Sequence, residues 1–192
     1  MTNNRNNKEE QLIEKLIAGE EHAYRHIIDK YREAVIRLCR GFTGSSDDAE
    51  DLAQDVFLEV FRSISRFRGQ SSLSTWIYRI AVNKSQNFVR DRRKGVYDNY
   101  TPVLDRERSE DEGYTADKRL ATKEHAEALH NALNSLPSAQ RMAFVLSKYE
   151  DLKYTEIAEI MKTSVSAVES LLYRAKKNLQ EKLFAYYKKN ME

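Results

Sequence analysis

Apolar residues recur at helical spacing along most of this chain, most clearly between Asp47 and Lys94. Leu52, Ala53, Val56, Phe57, Val60, Phe61 and Ile64 fall three or four apart and make one apolar face. Asp48, Asp51, Gln54, Asp55 and Glu59 lie off that face. Arg68-Gly69-Gln70-Ser71-Ser72 interrupts the period, because glycine and small polar residues favour turns. A second helix is expected from Ser74 or Thr75, either of which can cap it. It carries Trp76, Ile77, Ile80 and Ala81, then Asn83, Lys84, Asn87 and Phe88, and ends in Arg90-Asp91-Arg92-Arg93-Lys94.

Upstream, residues 1–7 are polar and expected to fray. A helix from Lys8 to Ala18 places Leu12, Ile13, Leu16 and Ile17 on one side, with Gly19 as its stop. The next, Glu21 to Arg40, turns Ala23, Tyr24, Ile27, Ile28, Tyr31, Val35, Leu38 and Cys39 inward, and Gly41 and Gly44 bracket a break. Ser45 with Asp48 fits a capping box for the helix that follows.

From Gly95 to about Asp117 the period is lost and acids gather, with Asp105, Glu107, Glu110, Asp111, Glu112 and Asp117 against Arg106 and Arg108. This reads as a linker. Helical spacing resumes over Lys118–Asn134 and, after Leu136-Pro137, over Ser138–Tyr149. Ile157, Ala158, Ile160 and Met161 then form a short helix, Lys162-Thr163 a turn, and Ser164 a cap. The helix it caps holds Val165, Val168, Leu171, Leu172, Ala175 and Leu179 inward, which is the pattern of a helix-turn-helix. The fold class is therefore all-α: two small helical domains, 1–95 and 118–192, joined by a flexible acidic linker, 96–117.

Scarce glycine (6) and proline (2) in 192 residues agree with helices rather than a turn-rich β protein. A net charge of +2 is too small to indicate nucleic acid, so the distribution of charge matters more than its sum. The single cysteine, Cys39, excludes an intramolecular disulfide and a cysteine-rich zinc site. No run approaches the roughly 18 apolar residues of a membrane span. The first residues lack the apolar core of a signal peptide, which places the chain in the cytoplasm with no direct membrane insertion.

Two stretches carry candidate chemistry. Trp76, Asn83, Asn87 and the basic end of their helix suit a melted strand: aromatics stack on bases, amides read base edges and cations hold phosphates. The same composition also fits a core tryptophan and a cationic C-terminus that complements the helix dipole. On the last helix, Ser166, Ala167, Glu169, Ser170, Tyr173, Arg174, Lys176 and Lys177 face outward, the first few able to reach base edges and the later cations phosphates. An ordinary α-hairpin is the alternative. His22 and His26 stand four apart, a spacing that can ligate metal, but no third ligand is near in sequence. No nucleophilic triad or phosphate-binding loop appears, so neither an enzyme nor a cofactor is expected.

Together, DLAQDVFLEVFRSISRFRGQSSLSTWIYRIAVNKSQNFVRDRRK and LPSAQRMAFVLSKYEDLKYTEIAEIMKTSVSAVESLLYRAKKNL resemble the second and fourth conserved domains of bacterial sigma factors of the extracytoplasmic-function (ECF) group. The resemblance implies a subunit that binds core RNA polymerase, directs it to promoters and melts the DNA. It implies that Asp51, Gln54, Asp55 and Phe57 contact the clamp helices of the polymerase's largest subunit. The loop from Arg66 to Thr75, with Phe67, Arg68 and Ser72, would capture a flipped base of the minus-ten element. Trp76, Arg79, Asn83, Lys84 and Asn87 would lie on the adjoining melting helix. Ser164, Ser166, Ala167, Glu169, Ser170, Tyr173, Arg174 and Lys177 would serve the minus-thirty-five element on duplex DNA. The family also implies an anti-sigma factor as partner, often a membrane-anchored one.

Two positions depart from the family's pattern. Lys153 stands where many members cap the helix-turn-helix with serine or threonine, so the cap is expected to be weaker or to come from Asp151. Glu169 stands where some carry arginine, and a glutamate accepts from cytosine N4 where an arginine would favour guanine. Rival readings are a helix-turn-helix regulator with a helical sensor domain and a metalloenzyme built on Asp47, Asp51, His22 and His26.

Overall fold

The computed structural model describes the backbone of residues 2–93, 116–150 and 152–190, and the side chains of residues 9–92, 124–150 and 152–188. Eight α-helices follow one another: α1 (Thr2–Ile17), α2 (Glu21–Thr43), α3 (Ser46–Ser63), α4 (Leu73–Arg93), α5 (Ala116–Asn134), α6 (Ser138–Tyr149), α7 (Tyr154–Met161) and α8 (Val165–Asn190). A 3₁₀ turn, Ile64–Arg66, follows α3. No strand occurs among the described residues. The expected linker lies outside them, apart from Ala116 and Asp117, which open α5.

In the first half, α2 is the axis. Val35, Leu38 and Cys39 are fully buried, and α3 and α4 pack against the helix that carries them. Val56 and Val60 of α3 and Ile77 and Ala81 of α4 complete that interior. In the second half α6, α7 and α8 enclose Ala143, Leu146, Ile157, Val168 and Leu172. A smaller cluster, Ala132, Leu133, Leu136, Ala175 and Leu179, fixes α5 on α8. The main core runs without interruption from Leu16 to Leu172, so the two halves share one interior.

The helix ends differ from expectation in instructive ways. α1 begins at Thr2 and not near Lys8, because apolar periodicity reports burial and not backbone hydrogen bonding. α2 runs through Gly41 to Thr43. Gly41 is not a break: a Cβ there would lie 2.8 Å from Val145 Cγ1, so glycine serves close approach to α6. Gly44 ends the helix in the left-handed conformation (φ 74°), its N–H donating to the Arg40 carbonyl. Ser45 caps α3 as expected, accepting from the Asp48 N–H at 3.2 Å.

α4 is capped two to three residues earlier than expected. Ser72 Oγ accepts from the Thr75 N–H at 3.2 Å, and Thr75 itself is buried. The Leu73 N–H donates to Glu9 of α1 at 2.6 Å, so a carboxylate 64 residues upstream serves the start of this helix. At α7 the Lys153 N–H donates to the Glu156 carboxylate at 2.8 Å, which supplies one arm of a capping box from inside the helix. Asp151, one of the two expected alternatives, lies outside the described residues.

Cys39 is fully buried, and Ser85 Oγ–H donates to its sulfur at 3.7 Å. Burial pushes the thiol up to about 12. The native chain is therefore expected to resist a water-soluble maleimide at pH 7.5 and to react fully in denaturant, which a thiol titration checks.

Candidate polymerase and nucleic-acid interfaces

Three surfaces carry the residues singled out from sequence. The first is the outer face of α3. Asp51, Gln54 and Asp55 are exposed on it. Phe57 is not on this face: it is 6 % exposed, belongs to the core and stacks on Phe61 with centroids 6.3 Å apart. It underpins the acidic face from within. Neighbouring acids are tied to α4, Asp48 to Arg92 at 3.3 Å and Glu59 to Lys84 at 3.8 Å.

The second surface is the turn between α3 and α4 with the α4 helix. After Ile64–Arg66 the Phe67 N–H closes back on the Ile64 carbonyl at 3.0 Å. The Phe67 ring then lies 5.3 Å from the Trp76 ring, tilted by 59°. Both rings are half-buried, so each keeps an edge at the surface. Arg66, Arg68 and Ser72 are exposed around them, while Thr75 is buried and bonded to Ser72. Further along α4, Asn83 and Asn87 are exposed, and Lys84 is half-buried beside Glu59. Arg79 is engaged elsewhere: its Nη2 and Nε donate to the Glu159 carbonyl of α7 at 2.6 and 3.2 Å, and its Nη1 to Ser71 at 3.3 Å.

The third surface is α8. Lys162 takes the left-handed conformation (φ 53°) in the turn after α7, and the Thr163 N–H bonds the Ala158 carbonyl at 2.9 Å. Ser164 Oγ accepts from the Ala167 N–H at 3.2 Å and caps α8. Val168, Leu172, Ala175 and Leu179 are buried. Val165, expected inward, is 38 % exposed, because it opens the helix ahead of the packed turn. Ser164, Ser166, Glu169, Ser170, Tyr173, Arg174 and Lys177 are exposed, and Ala167 is half-buried. Exposed small polar residues near the helix start, with cations further along, have the size and charge that a major groove can accept.

The metal reading fails on geometry. Among the described residues no three of His, Cys, Asp and Glu converge, so Asp47, Asp51, His22 and His26 make no site. His22 pairs with Glu20 at 3.1 Å. No helix is long and apolar enough to cross a membrane among the described residues.

What the sequence did not signal is a second set of polar residues between the halves. Arg37, Tyr78, Arg141 and Glu150 sit there. No local pattern marks them, since each acquires its partner from a helix far along the chain.

An all-helical chain with exposed amides and cations on one helix and a helix-turn-helix in its other half has the make-up of a DNA-binding protein. Comparison with known proteins gives the family. Residues 27–95 match the model of Sigma-70 region 2, and residues 126–179 that of Sigma-70, region 4. The RNA polymerase sigma-H factor of Pseudomonas aeruginosa is 30% identical over 181 residues, covering 92% of this chain and 94% of that protein. The ECF RNA polymerase sigma-E factor of Escherichia coli K12 is 28% identical over 177 residues, covering 90% and 92%. Among solved structures, CnrH in complex with the cytosolic domain of CnrY aligns with a TM-score of 0.67 at 20% identity, over 92% of this chain and 97% of that one. The sigma factor RpoE from Bartonella quintana, in complex with the anti-sigma factor NepR, aligns at 0.60 and 23%, over 83% and 96%. The chain belongs to the ECF group of the sigma-70 family, the promoter-directing sigma factors of RNA polymerase.

Proposed function

We propose that this chain acts in the cytoplasm as a dissociable, non-catalytic subunit of RNA polymerase, with its work divided among the three surfaces. The acidic face of α3 docks on the core enzyme. The turn from Arg66 to Ser72 and the exposed amides of α4 hold the melted non-template strand at the minus-ten element. The start of α8 reads duplex DNA at the minus-thirty-five element. The observation that carries this reading is the exposure of Asp51, Gln54 and Asp55 on α3, of Asn83 and Asn87 on α4, and of Glu169 and Ser170 on α8, in the chain order of the two matched regions. Because CnrH is solved with the cytosolic domain of CnrY and RpoE with the anti-sigma factor NepR, we extend to this chain an anti-sigma factor, one whose membrane anchor would leave a cytosolic part to bind.

Two substitutions test the division of labour. Glu169→Ala is expected to relax base preference only upstream, by about 1–3 kcal/mol at the position it reads. Asn83→Ala is expected to leave closed complexes nearly intact and to weaken opening roughly tenfold, since base contacts need exposed bases. Permanganate footprints of unpaired thymines, compared on duplex and pre-melted promoters, separate the steps. Equal defects on both templates would assign Asn83 to base capture instead of opening. No defect on either would remove α4 from strand recognition.

A further inference from the structure

α1 reaches both ends of the turn assigned to the melted strand. The turn leaves α3 through the 3₁₀ segment Ile64–Arg66, and α1 packs against that segment. It ends at Leu73, where α4 begins and the Glu9 carboxylate of α1 accepts the backbone N–H at 2.6 Å. Between these points Arg79 adds a side-chain tie, to Ser71 at 3.3 Å. Gly69 takes the left-handed conformation (φ 65°), and a Cβ there would meet open space. The ends of the turn therefore do most to set its shape.

Glu9 can hold one of those ends because α1 is itself fixed. Leu12, Ile13 and Leu16 stand three, four and seven residues after it, so all four share one helix face. Leu16 is fully buried, and Leu12 and Ile13 pack against the main core. The Tyr24 hydroxyl donates to the Leu16 carbonyl at 2.8 Å, and the Tyr24 ring meets Phe61 of α3 edge-on at 4.5 Å. Glu9 is the polar end of an otherwise apolar face, aimed at a helix N-terminus.

The bond meets a need that the start of α4 does not meet alone. The first N–H groups of a helix have no intrahelical acceptor. Ser72 Oγ serves the Thr75 N–H at 3.2 Å, and the Ser72 carbonyl serves that of Trp76 at 3.1 Å. Glu9 serves Leu73, itself 2 % exposed. The helix dipole also favours a charged acceptor at this end. These bonds fix the first turn of α4, and with it the Trp76 ring that Phe67 leans on at 5.3 Å.

We propose that Glu9 is a positioning residue for strand capture: by holding the first turn of α4, it presets the Phe67–Trp76 pair and the turn around it for an unpaired base. A preset loop binds more tightly because less ordering remains to be done on contact. The proposal rests on the assignment of this turn to the melted strand. The match to Sigma-70 region 2 begins at residue 27, so α1 contributes from outside it.

Trp76 is the only tryptophan of the chain, so its fluorescence reports the turn directly. Glu9→Ala is expected to raise acrylamide quenching of Trp76 in the free chain, at unchanged helical circular dichroism. In the holoenzyme it is expected to lower promoter opening roughly tenfold, the effect of losing one charge-assisted hydrogen bond, with core affinity unchanged. Glu9→Gln keeps an oxygen that can accept from the Leu73 N–H. It should quench like the parent and open promoters to within about threefold of it. Permanganate footprints read opening, and fluorescence anisotropy reads core affinity.

Parental quenching in Glu9→Ala overturns the proposal. So does Glu9→Gln as defective as Glu9→Ala, which would place the effect on charge and not on the bond. Normal opening by Glu9→Ala, although Arg66→Ala with Arg68→Ala impairs it, overturns the role of Glu9 while the strand assignment stands. If the arginine pair is silent as well, the assignment of the turn to the strand fails and the proposal falls with it.

Discussion

Asp51→Lys combined with Asp55→Lys is expected to weaken core polymerase binding at least a hundredfold and to leave helical circular dichroism unchanged. The two carboxylates stand four residues apart on α3, on one exposed strip beside Gln54. Reversal exchanges two attractive groups for two repulsive ones. Like charges set across an interface cost several kcal/mol, and about 3 kcal/mol already corresponds to a hundredfold. The fold should not notice, because exposed substitutions away from caps and core pairs stay within about 0.5 kcal/mol. Asp48 and Glu59 are the wrong acids for this test, since Arg92 and Lys84 hold them within the chain. Core affinity measured by fluorescence anisotropy decides the matter. Affinity within threefold of the parent, with normal helicity, would remove the acidic face from the polymerase contact.

Mild acid is expected to destabilise the docked chain through His130. The α5 ring fills the space where a Cβ at Gly44 would lie, so it is wedged against the end of α2. Its Nε2 lies 2.7 Å from the Asn134 amide nitrogen, and burial first, then the Arg141 and Arg92 cations, lower its pKa to about 4. The folded value lies below the ordinary 6.5, so the folded chain resists protonation that the unfolded chain accepts. Stability is therefore fully present above about pH 6.5 and is lost as the pH falls toward 4. At pH 5 the loss is on the order of 2 kcal/mol relative to pH 8. Urea melts at the two pH values measure it, and His130→Gln should flatten the difference over that window. An unchanged slope in the variant would place the acid sensitivity on other groups.

Much of the fold is legible because helices announce themselves locally. The three-four spacing of α3, the Ser45 cap and the Ser164 cap needed no knowledge of the rest of the chain, and all are present. The outward set on α8 is legible for the same reason. Once Val168, Leu172 and Ala175 point inward, the helical period fixes where Glu169, Ser170 and Tyr173 must point.

Boundaries were less legible where the deciding atom comes from far away. Ser72 and not Ser74 caps α4, with Glu9 completing the start from α1. Gly41 looks like a stop in sequence and is a contact in space, because nothing near it names Val145 as its neighbour. Phe57 could be read both as core and as contact, and only packing against Phe61 places it inside.

Local pattern alone makes this chain helical, divides its apolar faces into two groups and ends the second in a helix-turn-helix. Those features depend on period, propensity and capping within a few residues of one another. Long-range packing is what joins the two groups in one interior and gives Arg141, Glu150 and Arg79 each a partner in the opposite half. A charged residue on a helix looks the same in sequence whether it faces water or the carbonyl end of a distant helix. The difference is made by which surfaces meet, and that is settled by long-range packing.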